Sequence, residues 1–345
     1  MDSSIIITFA IPLFFGLILI EFFYGVITKQ NNYRINDAIT SMSLGLISRF
    51  VPILGLGFQY VVYKAVAEHY NLKLLSGEEI WVWVTAFILY DICYYWMHRI
   101  HHEIKVFWAT HVVHHHGEEF NLATALRQTS TGFLWKWVFF LPLFIIGIPP
   151  QMYVTVAGLN LVYQFWVHTE HIGRLGFLEY IFVTPSNHRV HHAQNEDYLD
   201  ANYGGVFILW DRLFGTFIDE RSDLKPVYGT VKPLKSFNPF WANIEVFYQM
   251  IFDSYHTEKF TDKIRVWFSP PNWRPEDVSM KYPIDKNDLS SFEKYDPNIS
   301  LREKIFAGAQ FTVINLMTIV MLFNVQNYIY SEIISICLLY TSPSP

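Results

Sequence analysis

Hydrophobic residues in this chain are collected into long runs that short polar stretches separate, a pattern typical of helices that cross a membrane. About 20 consecutive apolar residues are enough to span the hydrocarbon core of a bilayer. The pattern therefore predicts membrane segments at Ile5–Ile27, about Asp37–Ala67, Ile80–Met97, Phe133–Ile148, Gln151–Val167, Ile305–Phe323 and from about Tyr328 onwards.

Some of these segments differ from a simple spanning helix. The first has neither a basic leader nor a small-residue cleavage site, so we expect it to be retained and not removed as a signal peptide. Pro52 and the pair Gly55 and Gly57 predict a kink in the second segment. The two segments between residues 133 and 167 are each short for a full span, and they predict a hairpin or two tightly turned helices that return the chain to the side it left.

The composition agrees with a membrane protein, because 52% of the residues are hydrophobic and only 16% are charged. Ordinary soluble domains carry about 25% charged residues. Residues 196–304 hold 14 Lys and Arg and 18 Asp and Glu, which predicts a polar segment outside the bilayer. No basic patch is present in it, so we expect no nucleic-acid partner. With 2 cysteines in the chain, neither a disulfide framework nor a thiolate zinc site is expected.

Histidines are concentrated in one part of the chain, where 12 of the 14 lie between His98 and His192. Many are three or four residues apart, which places their imidazoles on one face of a helix. Packing gives no reason for such a cluster, because each buried imidazole has two polar nitrogens that need partners. The predicted metal ligands are His98, His102, His111, His114, His115, His168, His188, His191 and His192.

Nine imidazoles exceed what one ion can bind, so the spacing predicts two metal ions. Imidazole suits iron, zinc and copper. Structural zinc sites are usually rich in cysteine, and a catalytic zinc ion would use about three of the nine ligands. A di-iron centre that activates O2 fits the count better. The other histidines are expected beside the site or in solvent (His101, His116 and His171) or on the surface (His69 and His256).

Four carboxylates are candidates for supporting roles. Glu103 and Glu170 each lie within two residues of a predicted ligand, where a carboxylate often orients an imidazole N–H; an ordinary helix-surface position is the alternative. Asp91 and Glu21 lie inside apolar runs, where ionisable groups are costly and often functional. Asp91 precedes His98 by two helical turns on the same face, which makes it a candidate to support that ligand.

The order and spacing of the histidine boxes resemble the fatty acid hydroxylase/sterol desaturase superfamily of membrane di-iron enzymes. The resemblance covers about residues 80–220. It rests on three strings, with His168 between the second and the third: His98-Arg-Ile-His-His102, His111-Val-Val-His-His115 and His188-Arg-Val-His-His192.

The strings between the boxes are similar to an ether-lipid branch of that superfamily, the alkylglycerol monooxygenases. Examples are Asn121-Leu-Ala-Thr-Ala-Leu-Arg-Gln128 and Trp210-Asp-Arg-Leu-Phe-Gly-Thr-Phe217. Asn187 stands where that branch has a further histidine, which leaves the surroundings of the third box open. The resemblance implies O2-dependent hydroxylation of the ether-bearing carbon of an alkylglycerol, a membrane lipid substrate.

No redox domain is fused to the boxes, so electrons must come from an external donor. The resemblance implies tetrahydrobiopterin or another tetrahydropterin. Arg127 and Gln128 are candidates to bind it or a lipid head group, with a cytoplasmic charge anchor as the alternative for both. A sterol, fatty acid or carotenoid hydroxylase or desaturase is the second interpretation. A membrane metal transporter is a remote third, because these ligands lie at helix ends and transport calls for ligands within the spans.

We therefore predict an all-α, multi-pass integral membrane bundle whose cytoplasmic cap holds the di-metal site. Lys29 and Arg34 favour the cytoplasm for the side of the boxes. The expected units are N-terminal transmembrane helices (1–79), the di-iron domain (80–220), a cytoplasmic polar segment (221–304) and a C-terminal transmembrane segment (305–345). The final string Leu338–Pro345 resembles a sequencing-adapter remnant, so we expect a truncated chain. Substrate, donor, organism and oligomeric state stay open.

Overall fold

The computed structural model describes residues 3–54, 58–75, 77, 79–324 and 327–339. The predicted kink at Gly55 and Gly57 and the string beyond residue 339 lie outside these residues. Helices and turns make up the described chain, which contains no β-strand and only two isolated bridges, as the predicted all-α class requires. The α-helices are α1 Ser3–Thr28, α2 Ile35–Ile53, α3 Gln59–His69, α4 Ile80–Glu103, α5 Lys105–Trp108, α6 Val112–His115, α7 Leu141–Ile146, α8 Pro150–Trp166, α9 Pro185–His191, α10 Leu209–Phe214, α11 Pro239–His256, α12 Phe260–Phe268, α13 Glu276–Lys281, α14 Leu301–Phe323 and α15 Tyr330–Leu339.

Two of the described helices, α4 and α14, are long and apolar enough to cross a membrane. α1 is also apolar, and it is 26 residues long. One face of α4 packs against α7 and α8, while Ile80, Trp81 and Val84 are exposed by 79%, 56% and 52%. Apolar side chains on an outer helix face are what a lipid environment accommodates.

The segment between residues 133 and 148 is less helical than an apolar run of that length suggests. It contains a short 3₁₀ turn, Lys136–Phe140, followed by the six residues of α7. Gly147 ends α7 with φ at +117°, a conformation that glycine adopts without strain. A Cβ there would lie 3.1 Å from the backbone nitrogen of Leu75. α8 then follows over Pro150–Trp166, and both α7 and α8 pack against α3 and α4.

Local sequence explains where the other long helices begin. At the start of α14, Ser300 and Glu303 form a capping box, in which the Glu303 carboxylate accepts from the Ser300 N–H at 2.6 Å. At the start of α11, the Asn238 side chain accepts from the N–H groups of Phe240 and Trp241. α14 packs against α2 and α15, and α11 packs against α12.

Candidate metal centre

All nine predicted ligands meet in the structure, where they form two groups. The ligand nitrogens within each group lie within 4.8 Å of one another. The five-histidine group contains His98, His102, His111, His115 and His191, and the four-histidine group contains His114, His168, His188 and His192. Of the nine imidazoles only His114 is half-buried; the others are buried.

Three short stretches of helix divide the histidines between the groups. His98 and His102 are one turn apart at the end of α4 and point to the same group. In contrast, His114 and His115 are consecutive in α6 and point to different groups, as do His191 and its neighbour His192 at the end of α9. α6 and α9 therefore each contribute to both groups.

Backbone carbonyls fix the orientation of several imidazoles. The Nδ1 atom of His98 contacts the Tyr203 carbonyl at 2.8 Å, and that of His191 contacts the Ala201 carbonyl at 2.9 Å. A carbonyl oxygen can only accept a hydrogen bond, so each Nδ1 must carry the hydrogen. In a neutral imidazole the Nε2 atom then has a free lone pair, which is the tautomer that binds a metal through Nε2.

Backbone carbonyls also fix the tautomers in the four-histidine group, and there they leave two nitrogen lone pairs facing each other. Nδ1 of His168 contacts the Gln164 carbonyl at 2.8 Å, and Nδ1 of His114 contacts the Arg127 carbonyl at 3.1 Å. The Nε2 atoms of His114 and His168 nevertheless lie 3.2 Å apart. Two nitrogen lone pairs face each other at this distance, which is repulsive unless a cation lies between them.

Metal coordination explains that distance. With metal–nitrogen bonds of about 2.0–2.1 Å, two ligands at right angles have nitrogens about 3 Å apart. The Nε2 atoms of His98 and His111 lie 2.9 Å apart, and those of His188 and His168 lie 3.0 Å apart. The Nε2 atoms of His102 and His191 are buried without a protein partner among the described residues. The donor set therefore fits a pair of bound ions.

Burial also keeps these imidazoles neutral at physiological pH. It lowers the pKa of His168 to about 3 and that of His191 to about 4, and it holds the pKa of His114 well below its usual value. Desolvation is the largest cause, because a charged imidazolium loses its water when it is buried. A neutral imidazole is the form that binds metal.

Two aspartates hold the loop that carries the Tyr203 carbonyl. The Asp211 carboxylate accepts from the N–H groups of Tyr203 and Gly204 at 2.7 and 2.8 Å and from the Thr216 hydroxyl at 2.7 Å. Asp91 accepts from the N–H groups of residues 206 and 207, the Trp210 indole and the Asn160 amide. Asp91 thus joins α4 to this loop and makes none of its hydrogen bonds to a histidine.

The other predicted supporting residues have protein partners of their own. Glu103 pairs with Arg99 at 2.8 Å, and Glu170 accepts from the Tyr228 hydroxyl at 3.3 Å. Among the described residues, neither carboxylate contacts a box histidine. In the part of the chain that the structure describes, the one carboxylate within 4 Å of a box imidazole nitrogen is that of Asp200, 3.9 Å from Nδ1 of His102.

Arg127 and Gln128 lie on the same side as His114. The Arg127 side chain is buried and donates to the Val113 carbonyl at 2.9 Å and to the Ser41 hydroxyl at 3.1 Å. Gln128 is half-buried and donates to the Ala125 carbonyl. Their binding of a cofactor stays a prediction.

Four residues beside the boxes have surroundings that sequence spacing does not reveal. His101 is buried, and its Nδ1 donates to the Met97 carbonyl. His116 is buried, and His171 is half-buried beside Tyr24. Asn187 lies in the first turn of α9, where its Oδ1 accepts from the Thr184 N–H at 3.1 Å. The side chain at this position therefore stabilises the start of the helix that carries the third box.

Sequence reasoning missed Tyr203, Ala201 and Gln164, which orient histidines through their carbonyl oxygens. No side-chain pattern can reveal them, because every residue type has the same carbonyl. Asp211 was also missed as a supporting residue, and the signal that could have found it was an acid four residues before the pair Gly215 and Thr216.

Comparison with known proteins shows what this site is similar to. Residues 83–216 match the model of the fatty acid hydroxylase family. This match confirms the resemblance that the histidine boxes indicated, and the matched range contains all nine clustered histidines.

Over most of its length, the chain is similar to alkylglycerol monooxygenases. It is 40% identical to that of Homo sapiens over 267 residues (77% of this chain and 59% of the relative) and 38% identical to that of Xenopus tropicalis over 285 residues (82% and 63%). The ornithine lipid hydroxylase OlsE of Rhizobium tropici is 28% identical over 142 residues (39% and 41%). The chain thus spans less than two thirds of the length of these relatives. No solved structure matches it significantly.

Proposed function

We propose that this protein is a membrane di-iron monooxygenase that hydroxylates a lipid C–H bond, with the ether-bearing carbon of an alkylglycerol as its target. One observation carries the metal site: the facing Nε2 lone pairs of His114 and His168, 3.2 Å apart. The similarity to alkylglycerol monooxygenases over 77–84% of the chain supports the reaction and the substrate class.

Iron is the metal that we infer from the donor set. Five and four imidazoles with no thiolate suit an ion that takes several nitrogen ligands and keeps a position for oxygen. When bound, a pair of iron ions supplies the O2 activation that insertion of oxygen into an unactivated C–H bond needs.

The chain's own residues prepare the site for this chemistry. Carbonyl oxygens hold four imidazoles in the metal-binding tautomer, which is the usual second contact of a metal-ligating histidine. Aromatic rings pack on the imidazoles and exclude water. The ring centroid of Phe120 lies 5.6 Å from that of His168 and 5.2 Å from that of His192, and the ring centroid of Trp108 lies 4.9 Å from that of His102. Because only His114 is half-buried, we infer that substrate approaches from its side.

The membrane arrangement is part of the same proposal. α4 and α14 would span the bilayer, and α1 would join them as a further crossing. The segments 98–132 and 170–304 would form the cytoplasmic cap. The di-iron domain would extend over residues 80–220, between the N-terminal helices (1–79) and the polar segment 221–304. Residues 305–345 would form the last membrane unit.

A reduced tetrahydropterin is the electron donor that we propose. Glu118 borders a surface cleft of about 330 Å³ together with Lys235, Asn287 and Tyr295, whose polar groups match the hydrogen-bonding edge of a pterin ring. Glu118 precedes by two residues Phe120, whose ring packs on His168 and His192 of the four-histidine group. A protein donor remains the alternative.

A sterol or fatty acid substrate is the second candidate, because the chain is also 28% identical to lathosterol oxidase of Mus musculus over 138 residues. Product analysis distinguishes the two. Purified protein in neutral detergent is incubated under ¹⁸O₂ with a mixture of alkylglycerol, fatty acid and sterol, and products are identified by mass spectrometry. We expect label in the alkylglycerol product. Label in the sterol alone would move the chain to the second candidate, and no labelled lipid with any donor would refute the monooxygenase.

A further inference from the structure

A short segment before the third histidine box exposes its apolar side chains and buries its charged one. Four large apolar side chains in and after the 3₁₀ helix Gly176–Tyr180 are exposed by 36–71%, namely Phe177, Leu178, Tyr180 and Ile181. Glu179 is buried, and its carboxylate accepts from the Leu175 N–H at 2.8 Å and from the Thr184 hydroxyl at 3.2 Å. Segments that face water usually have the opposite arrangement, with the charge outside.

α10 adjoins this segment and exposes apolar side chains as well. Leu209 and Leu213 are four residues apart, which places them on one face of the helix, and they are exposed by 43% and 68%. The Ile208 N–H before α10 donates to the Ile181 carbonyl at 3.0 Å and so joins the two segments. The apolar patch is the set of six exposed side chains Phe177, Leu178, Tyr180, Ile181, Leu209 and Leu213.

Arg212 is the one exposed charged residue within residues 176–181 and 209–214, and neighbouring groups surround its charge. Its guanidinium carbon lies 4.9 Å from the ring centroid of Tyr180 and 3.7 Å from that of Phe217. The same group donates to the Glu179 carbonyl at 3.1 Å. A cation over aromatic rings keeps favourable contacts where water is scarce. This arginine therefore does not prevent the patch from facing lipid.

Contacts with α4 fix the level of α10 along that helix. The Trp210 indole donates to the Asp91 carboxylate at 2.9 Å, and the ring centroid of Phe214 lies 4.9 Å from that of Trp96. α10 therefore lies beside the middle of α4 and runs in the same direction. Asp91 is roughly 18 Å before Glu103, the last residue of α4.

This level is too deep for a surface outside the bilayer. If α10 lay in water, only the part of α4 before Asp91 would remain to cross the membrane. That part is roughly 17 Å long, about half of the hydrocarbon thickness. The patch also continues the exposed apolar face of α4, because Trp96, which contacts Phe214, and Ile88 are each exposed by 39%.

We propose that the apolar patch is inserted into the bilayer beside α4, where it contacts the acyl chains of lipids. The inference deepens the proposed function and rests on its membrane arrangement, in which α4 crosses the bilayer. Part of the cap would thus enter the leaflet, as amphipathic interfacial segments do. Because α9 begins at Pro185, soon after Ile181, insertion would fix the level of the third histidine box relative to the leaflet that supplies the lipid substrate.

The experiment measures where fluorophores on the patch lie in the full chain, reconstituted with its metal in phosphatidylcholine vesicles. Phe177→Cys, Leu209→Cys and Leu213→Cys are made singly in a chain whose own cysteines are changed by Cys93→Ser and Cys337→Ser, and each is labelled with a nitrobenzoxadiazole group. Quenching is compared between aqueous iodide and phospholipids that carry a nitroxide at a shallow or a deep position of the acyl chain.

Two further labels are the references for lipid and water. Val84→Cys lies on the exposed apolar face of α4. Asp223→Cys replaces an exposed carboxylate that pairs with Arg221. We expect all three patch labels to be quenched by the acyl-chain nitroxides and to be shielded from iodide several-fold relative to the Asp223→Cys label.

The depths of the labels test the geometry itself. The label at residue 209 should be deeper than that at residue 213 by roughly 6 Å, since α10 runs along α4 at about 1.5 Å per residue. Patch labels as open to iodide as the Asp223→Cys label would overturn the insertion. Labels shielded from both quenchers would also overturn it, because a second copy or another protein would then cover the patch.

A measurement on the native chain covers the case in which a labelled variant fails to fold. Vesicles that contain a phospholipid with a diazirine in its acyl chain are illuminated, and lipid adducts are located by mass spectrometry after digestion with trypsin. We expect adducts in the peptides Leu175–Arg189 and Leu213–Arg221. Adducts in α4 with none in these two peptides would contradict the insertion.

The Val84→Cys label separates the failure of this inference from that of the membrane arrangement. Iodide quenching at this label would overturn the crossing by α4, and the insertion with it. Quenching there by the acyl-chain nitroxides, together with iodide quenching at the patch, would overturn the insertion alone. Neither measurement depends on lipid oxidation, so the monooxygenase is tested separately.

Discussion

Replacing Asp211 by alanine tests whether a distant carboxylate controls one of the two metal sites. Asp211 binds the N–H groups of Tyr203 and Gly204, and the Tyr203 carbonyl in turn binds Nδ1 of His98 in the five-histidine group. Burial raises the pKa of Asp211 to about 6, so the side chain is a carboxylate at pH 7.5 and can accept from all its donors. The substitution should free the loop and release the imidazole of His98.

The size of the effect follows from the bonds that are lost. Alanine leaves two buried N–H groups and the Thr216 hydroxyl without their acceptor. At about 1–3 kcal/mol for each unsatisfied buried donor, the free energy of unfolding should fall by roughly 3 kcal/mol or more. Loss of a residue that orients a metal ligand typically costs about 10–100-fold in metal affinity. We expect this loss at the five-histidine group alone.

The assay is metal content per chain during titration with a chelator, measured by inductively coupled plasma mass spectrometry. The native protein should release two iron ions over similar chelator concentrations, whereas Asp211→Ala should release the first at about 10–100-fold less chelator and retain the second. Asp211→Asn, which keeps one acceptor oxygen, should fall between them. Asp219→Ala removes an exposed carboxylate that pairs with Arg174, and it is the matched control.

Two results would refute this reasoning. A variant that is folded and binds both ions with native affinity would show that the Tyr203 carbonyl does not position His98. Equal weakening of both ions in a folded protein would show that Asp211 acts on the whole domain and not on one group.

Three further predictions concern the same domain. His114→Ala and His191→Ala each remove a ligand from a different group, so each should lose about one of two iron ions together with lipid oxidation; metal analysis that finds a single ion in the native protein would contradict the two-ion site. The free energy of unfolding of the metal-free protein should fall as the pH is lowered from about 6.5 towards 4. In this range His191 takes up a proton in the unfolded chain but stays neutral in the folded chain, because burial lowers its pKa to about 4. A flat stability profile in this range would contradict the burial of the cluster. Arg189→Ala removes a bidentate ion pair with Glu220 and hydrogen bonds to two backbone carbonyls, so it should lower the free energy of unfolding by about 3 kcal/mol. The control Arg174→Ala removes an exposed ion pair and should cost less than about 1 kcal/mol. Equal effects of the two substitutions would contradict this reasoning.

The ligands could be predicted from the sequence because their chemistry and spacing are both local. Helical spacing placed the boxes on shared faces, and all nine histidines meet in the structure. Their division into five and four could not be predicted. It depends on α6 and α9, which are four and seven residues long, and on the loop angles that direct consecutive histidines to opposite groups.

Long-range contacts explain the other differences. Asp91 lies two turns before His98, which suggested a role beside that ligand, but residues more than 100 positions later fold back and use its oxygens. The apolar run at 133–148 suggested a longer helical arm than the 3₁₀ turn and short α7 that form. An apolar composition indicates that a segment is removed from water, but it does not indicate where a helix ends. Here α7 ends at Gly147, which lies against residues 71–75.

The consecutive positions of His114 and His115 have a consequence for how the site can vary. Because one peptide unit joins them, their Cα atoms are about 3.8 Å apart whatever happens elsewhere in the chain. His191 and His192 impose the same limit from α9. The separation of the two groups is therefore set twice by covalent geometry, independently of the loops that connect the helices. Insertions in those loops can reshape the substrate's surroundings, whereas an insertion inside either histidine pair would separate the two halves of the centre.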